Sequence, residues 1–429
     1  MSRLMRGVFA GLVIFAAAAA YVSMPQEESF AAPADEGTYF NNARRVRMFG
    51  VSHIPVLAKE YLASPRAKLL PNPGRVGQIL VAALWLRIFP MTYRSLAMLS
   101  FVCFLLCLGA SFHFARKYLG TDTALWYTTL LSSSPLLMAA SRRLLQDSLL
   151  HLFWALSFWL FFDYLMTRDR RRLWIFGAAL FAAITIKEQS IALLPFFGVS
   201  WLIFKFRYRK DLPVRDLLVA LLAPPIAAAV LLTVCLGGVK NAIAMAACVL
   251  SVYFPPGRFS PATLSHVLAQ AVGMDFSPGP FNRYNLYSLG PWYKFLVDFM
   301  LLTPMTTLLF VGYAFHLLLQ RKLDAIRAYH MVFFAVIFSV LSSLYTRNVR
   351  YAISLEIVIS LFAVFALQEL FAAANKRITT HALSVSVFLI YLMNILNYHN
   401  IYVVWRTYDP ISVQLLLTQR ILPYFNFNP

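Results

Sequence analysis

The chain has 429 residues, 60% of them hydrophobic and only 13% charged, with a mean hydropathy of +0.66. A soluble domain is about a quarter charged, so this balance excludes an ordinary soluble globular protein and points to a polytopic membrane protein. The net charge of +20 suits that setting, because basic residues line cytoplasmic loops and attract lipid phosphates; without a soluble basic domain or a recognition motif, no nucleic-acid partner is expected.

The basic start "SRLMRG" runs into an apolar stretch ending at Val22, and "SFAAPA" beyond it offers small residues for a cleavage site. An uncleaved first span is the preferred reading, since many spans follow and an acidic pair lies close behind. Further apolar runs predict spans near 94–115, 123–140, 148–166, 173–187, 190–206, 217–236, 293–319, 329–345, 350–370 and 379–396. With the first, about eleven spans make an all-α, polytopic helical bundle, since each crossing takes about 20 apolar residues. The four cysteines, Cys103, Cys107, Cys235 and Cys248, form no metal or disulfide pattern. His53, His266 and His381 have no second ligand at helical spacing and read as surface residues.

Short basic connections, such as "TRDRRR" at 167–172 and "QRKLDAIR" at 320–327, alternate along the chain as cytoplasmic loops do. They predict a cytoplasmic N terminus. Two long segments, 24–93 and 237–292, and a short tail, 397–429, then lie outside, within a single membrane domain spanning 1–429. "GRVGQILVAALWLRIF" at 74–89 is apolar but interrupted by Arg75 and Arg87, which suits a helix in the membrane interface; "NAIAMAACVLSVYF" at 241–254 reads the same way. Trp85, Trp292 and Trp405 read as belt residues.

Charges at the ends of apolar helices are costly unless solvated or paired, so each is a functional candidate. Asp35 and Glu36 follow the first span. "SRRLLQD" supplies Arg142, Arg143 and Asp147; "TIKEQS" supplies Lys187 and Glu188; "YTRNVRY" supplies Arg347, Arg350 and Tyr351. All four groups fall on the outer side of this topology. Cations there can hold the phosphate of a lipid carrier by charge-assisted hydrogen bonds. A carboxylate opposite can take a proton from an incoming hydroxyl, while fixed positive charge stabilises the leaving phosphate. A polyprenyl-phosphate sugar is a donor with those demands. Alternatively, Asp147 pairs with Arg143 one turn away, the basic residues are snorkelling anchors, and Tyr351 is a belt aromatic.

"ADEGTYFNNARRV" just after the first span resembles the Asp-Glu motif in the first external loop of GT-C glycosyltransferases, in particular bacterial enzymes similar to protein O-mannosyltransferases and lipid A aminoarabinose transferases. "SSSPLLMAASRRLLQDSLL", "AAITIKEQSIALLPF" and "RNVRYAISL" follow in that family's order, and the resemblance covers most of residues 1–370. It implies an inverting, membrane-embedded transferase of one sugar, in the bacterial inner membrane, from a polyprenyl-phosphate carrier to an external lipopolysaccharide, glycolipid or protein hydroxyl. It assigns Asp35 and Glu36 to catalysis and Lys187, Arg350, Tyr351, Arg347, Arg142 and Arg143 to the donor phosphate, with Asp147 as a further site carboxylate. A divalent metal on the paired carboxylates is compatible with this reading. One departure stands out: where the family often carries His-Pro-Pro, this chain has "LLPNPGRVGQ", with Asn72 in place of the histidine. The rival reading is a flippase for a lipid-linked sugar, which predicts repeated halves and charges at the bilayer middle.

Overall fold

The computed structural model describes residues 1–25, 35–64, 71–253, 292–320, 323–344, 348–372 and 376–405. Among the described residues the regular elements are helical. The first, α1 (Arg3–Val22), begins where the Ser2 hydroxyl accepts from the Met5 backbone N–H, meeting one of the donors a helix start leaves unsatisfied. Three shorter helices follow: α2 (Asp35–Phe49), α3 (Ile54–Ala63) and α4 (Val76–Ile88). Next comes the long α5 (Tyr93–Leu119), which Gly120 turns into α6 (Thr121–Ser132) at φ +83°, a conformation that favours glycine. Ser134 caps α7 (Pro135–Ser141), after which α8 (Asp147–Thr167) and α9 (Arg170–Ile186) form an antiparallel pair.

A 3-10 turn, Glu188–Ala192, leads into α10 (Leu193–Phe206), followed by α11 (Val214–Cys235) and α12 (Val239–Tyr253). The later helices are α13 (Lys294–Leu302), α14 (Pro304–Leu319), α15 (Ala325–Ser343), α16 (Glu356–Leu370) and α17 (Lys376–Tyr398). A 3-10 stretch, Val349–Leu355, precedes α16.

The core is built around α8. Its Trp154, Phe158, Trp159 and Phe161 are buried, and Phe158 meets the rings of Phe196, Tyr329 and Phe333 from α10 and α15. By contrast, α11 exposes Leu218, Leu222, Ile226, Val230 and Val234 at four-residue spacing, one apolar stripe down a helix. A stripe of that kind faces lipid in a multi-pass membrane protein.

Eight described helical stretches are long and apolar enough to cross a membrane. The three remaining expected spans are shorter or broken. The run at 123–140 is interrupted before Pro135 into α6 and α7, that at 293–319 before Pro304 into α13 and α14, and α9 has 17 residues. Proline cannot donate to the preceding turn and fits the first turn of a new helix, so an unbroken apolar run hides two elements. Most of the expected loop 237–292, the tail beyond Trp405, His266 and Arg347 lie outside the described residues.

Candidate active site

The four charged segments meet at one end of the bundle, beginning with the helix starts. Asp35 and Glu36 occupy the first turn of α2 and Asp147 the first turn of α8, where a carboxylate is favoured by the helix dipole. Asp35 accepts a hydrogen bond from Arg350 Nη2 at 3.1 Å. The other arm of Arg350, Nη1, lies 3.8 Å from Asp147 Oδ2, and Lys187 Nζ donates to Asp147 Oδ1 at 3.3 Å. Lys187 also lies 4.4 Å from the centre of the Tyr351 ring, a cation–π distance. Glu36 faces Arg143 Nη1 at 3.9 Å. One ionic chain therefore joins residues more than 300 positions apart.

Local packing holds these groups in place. Lys187 sits in the break between α9 and the 3-10 turn, and that break is pinned by a relay: Trp154 Nε1 donates to Ser190 Oγ, which donates to the Ala183 carbonyl, each at 2.8 Å. Gln189 Nε2 reaches the Tyr351 carbonyl at 2.8 Å, tying the Lys187 segment to the Arg350 segment. The Asn348 side chain accepts from the Arg350 backbone N–H at 3.0 Å and so starts the 3-10 turn that aims Arg350. Gly77 lets α4 approach the end of α9. A Cβ there would lie 2.5 Å from Thr185 Oγ1 and 2.9 Å from the Thr185 carbonyl carbon, so no side chain fits without moving backbone.

That close approach brings in Arg75 and Tyr39, two residues the sequence reading did not assign to the site, and joins them to the candidate Glu188. Arg75 grips Glu188 with both arms, Nε to Oε2 at 3.2 Å and Nη2 to Oε1 at 2.9 Å, and donates to the Tyr39 hydroxyl at 2.7 Å. As a lone arginine at the start of an apolar helix, Arg75 reads as an interfacial anchor; its partner is 113 residues away. The available signal was the pair of glycines around it, Gly74 and Gly77, since glycines beside a charged residue mark close backbone approach.

The carboxylates differ in their surroundings. The side chain of Asp35 is 28% exposed, against 9% for Glu36 and 3% for Asp147. Burial raises the Glu36 carboxyl above its ordinary value, opposed by Arg143. Burial also raises the Tyr39 phenol well above its usual range. It therefore stays a neutral hydroxyl with a proton to give.

Arg142 is elsewhere. Its guanidinium donates to the Ser23 carbonyl at 2.9 Å and to the Tyr402 carbonyl, and lies 5.7 Å from the Tyr398 ring centre. It joins the end of α1 to the end of α17, and Tyr398 and Ser23 complete the junction through their hydroxyls. Two of its three guanidinium nitrogens are thus engaged by backbone carbonyls, and no contact joins Arg142 to the chain of Asp35, Arg350, Asp147 and Lys187 among the described residues. Among the described residues no three His, Cys, Asp or Glu side chains gather as a metal site.

A cavity of about 690 Å³ opens beside the ionic chain. Asn72, Gly74, Glu188 and Gln189 line its polar end, while Leu232, Ile243, Val249 and Leu341 are among the apolar residues lining the rest. Asn72, standing where the resembled family often has histidine, is buried and faces this space.

The all-helical fold of this chain is of the GT-C type, the one seen in ArnT and AglB. Residues 78–236 match the family described as dolichyl-phosphate-mannose-protein mannosyltransferase. That segment includes Asp147 and Lys187; Asp35, Arg75 and Arg350 lie outside it. Among solved structures, the chain is similar to ArnT from Cupriavidus metallidurans bound to undecaprenyl phosphate, at 15% identity and a TM-score of 0.55, covering 92% of this chain and 77% of that one. It is also similar to the Archaeoglobus fulgidus oligosaccharyltransferase tethered with an acceptor peptide, at 13% identity and a TM-score of 0.55, where it spans 91% of itself and 55% of the other chain. The oligosaccharyltransferase AglB from Archaeoglobus fulgidus, in complex with an inhibitory peptide and a dolichol-phosphate, matches at 14% identity and a TM-score of 0.55, over 95% of this chain and 57% of that one. Among curated proteins no sequence match is found.

Proposed function

We propose that the protein transfers one sugar from a polyprenyl-phosphate carrier to an acceptor hydroxyl at the outer face of the bacterial inner membrane, with inversion at the anomeric carbon. The observation that carries this reading is the chain Asp35–Arg350–Asp147–Lys187, next to which Glu188, the neighbour of Lys187 in sequence, lines an apolar cavity. The cavity takes isoprenoid units, whose burial contributes roughly 25 cal/mol per Å². In this reading the carrier phosphate lies past the cavity's polar end, at Lys187 and Arg350. The matched family's description names a dolichyl-phosphate-linked sugar, and two of the similar structures hold undecaprenyl phosphate or dolichol-phosphate, which supports a lipid phosphate here.

In this mechanism the acceptor oxygen attacks the anomeric carbon from the face opposite the phosphate. Asp35, the carboxylate of the chain Asp35–Arg350–Asp147–Lys187 most open to solvent, takes the hydroxyl proton as the new C–O bond forms. The bond from the anomeric carbon to the phosphate oxygen breaks, and its electron pair leaves with the polyprenyl phosphate. Lys187 and Arg350 stabilise that developing charge. Arg350 couples the two halves of the reaction, since one arm orients Asp35 while the other faces the phosphate side. Asp147, held between two cations, stays ionised and keeps both in place.

Purified protein incubated with undecaprenyl phosphate carrying a radiolabelled sugar tests the reading. Release of undecaprenyl phosphate together with label on an acceptor, or on water in slow hydrolysis, is the expected result. Label that crosses the bilayer of a proteoliposome while still on its carrier would instead establish the flippase.

A further inference from the structure

Glu188 lines the cavity's polar end and Arg75 is bonded to it from behind, and neither has a part in the mechanism above. Around the site the cations Arg75, Arg143, Lys187 and Arg350 face the carboxylates Glu188, Glu36, Asp147 and Asp35. Among the described residues each of these four positive charges is matched by a carboxylate, so an arriving lipid phosphate brings negative charge to cations already paired. Balance is restored most directly if one carboxylate gives way. Asp147 is buried between Lys187 and Arg350, Glu36 is buried against Arg143, and Asp35 serves the acceptor. Glu188 alone among the four lines the cavity, with its carboxylate on the two guanidinium arms that would suit a phosphate.

Resting on the donor reading above, we propose that Arg75 is a donor-phosphate-binding residue and that Glu188 is its internal competitor: the carboxylate occupies the guanidinium in the empty site and is displaced by the carrier phosphate. Several features fit this exchange. A carboxylate and a phosphate offer the same pair of oxygens to the planar fork of arginine. The third donor contact of Arg75, to Tyr39, does not involve Glu188 and keeps the guanidinium in place after the exchange. Glu188 opens the 3-10 turn and its side chain lines the cavity, which gives the carboxylate space to swing into. The exchange has a thermodynamic consequence: Glu188 lowers apparent donor affinity, because binding must break its contact to Arg75.

The test is binding of undecaprenyl phosphate to the purified full-length chain, measured by native mass spectrometry, with thermal unfolding recorded beside it. Glu188→Gln removes the competing charge and keeps the shape, so it should bind about three- to tenfold more tightly than wild type. Arg75→Gln loses a charged contact and should bind about tenfold or more weakly, and the double variant should match Arg75→Gln. If Glu188→Gln fails to fold, Glu188→Asp, which shortens the carboxylate's reach, should show the same sign with a smaller effect. Weaker or unchanged binding by Glu188→Gln, with both single variants losing thermal stability together, would make the pair a structural clamp and overturn the inference. Failure of the wild-type chain to bind undecaprenyl phosphate would overturn the donor reading itself, and this inference with it.

Discussion

The two ends of α8 each carry a buried aspartate, and they do different things. Asp147 and Asp163 are about 24 Å apart along the helix, at 1.5 Å per residue. Asp163 is 1% exposed and held by Lys117 at 2.5 Å, Arg172 at 3.3 Å and the Tyr118 hydroxyl. Its cations remain 37% and 39% exposed, and they come from α5 and α9, the helices packed against α8. Asp147 is 3% exposed, but its partners Lys187 and Arg350 are only 3% and 11% exposed, and Arg350 continues to Asp35 on another segment. Burying one partner while the other stays wet produces a staple between neighbours. Burying both, from segments distant in the chain and next to a cavity, is costly unless a ligand repays it. The exposure of the cations, more than that of the acids, separates the site from the staple.

Substitutions at the two ends sharpen the contrast. The largest effect is expected from Asp35→Asn, which keeps the shape and removes the proton acceptor. Turnover with a labelled polyprenyl-phosphate sugar should fall about a hundredfold or more, with thermal unfolding unchanged; wild-type turnover would return the Asp-Glu pair to ordinary helix capping. Lys187→Ala and Arg350→Ala should each weaken donor use about ten- to a hundredfold, from a charged hydrogen bond of about 1.5–3 kcal/mol. An equal loss of acceptor affinity in both would contradict their assignment to the phosphate.

At the opposite end, Asp163→Asn should lower stability and leave the kcat/KM of the folded fraction intact. Breaking a buried ion pair costs about 3–5 kcal/mol, and the exposure of both cations here reduces the expectation to about 1–2 kcal/mol. The smallest effect concerns Glu36. Its raised carboxyl value means the folded state holds the proton to higher pH than the unfolded chain. Stability should therefore fall as pH rises through the window just above the ordinary carboxylate range. Glu36→Gln should flatten that slope in Tm measured against pH, and an unchanged slope would place the dependence on another group.

How far the sequence carried the reading follows from the same physics. Asp147, Lys187 and Arg350 stood out as candidates because each charge stands at the end of an apolar run, where no soluble surface explains it, while Asp35 stood out through the Asp-Glu pair behind the first span. Their placement on one side came from the alternation of short basic loops. Arg142 shared every one of those signals with Arg143, yet its partners are the backbone carbonyls of Ser23 and Tyr402, and carbonyls leave no mark in a sequence. Arg75 was concealed by the reverse problem. Its helix looks interfacial, and only the contact of Gly77 with Thr185 brings it to Glu188. The broken spans at Pro135 and Pro304 were marked by proline, but hydropathy averaged over a window hides a break flanked by apolar residues on both sides.

The central claim is that the carrier phosphate sits on the Asp147 end of α8 and not on the Asp163 end. A cryo-electron microscopy structure of the full-length chain in nanodiscs containing undecaprenyl phosphate tests it most directly. The account predicts phosphate density within about 3 Å of Lys187 Nζ and an Arg350 arm, a hydrogen-bonding distance. The isoprenoid density should enter the cavity lined by Leu232, Ile243 and Leu341. Phosphate density beside Lys117 and Arg172, or a chain lying outside that cavity with Lys187 still bound only to Asp147, would contradict it.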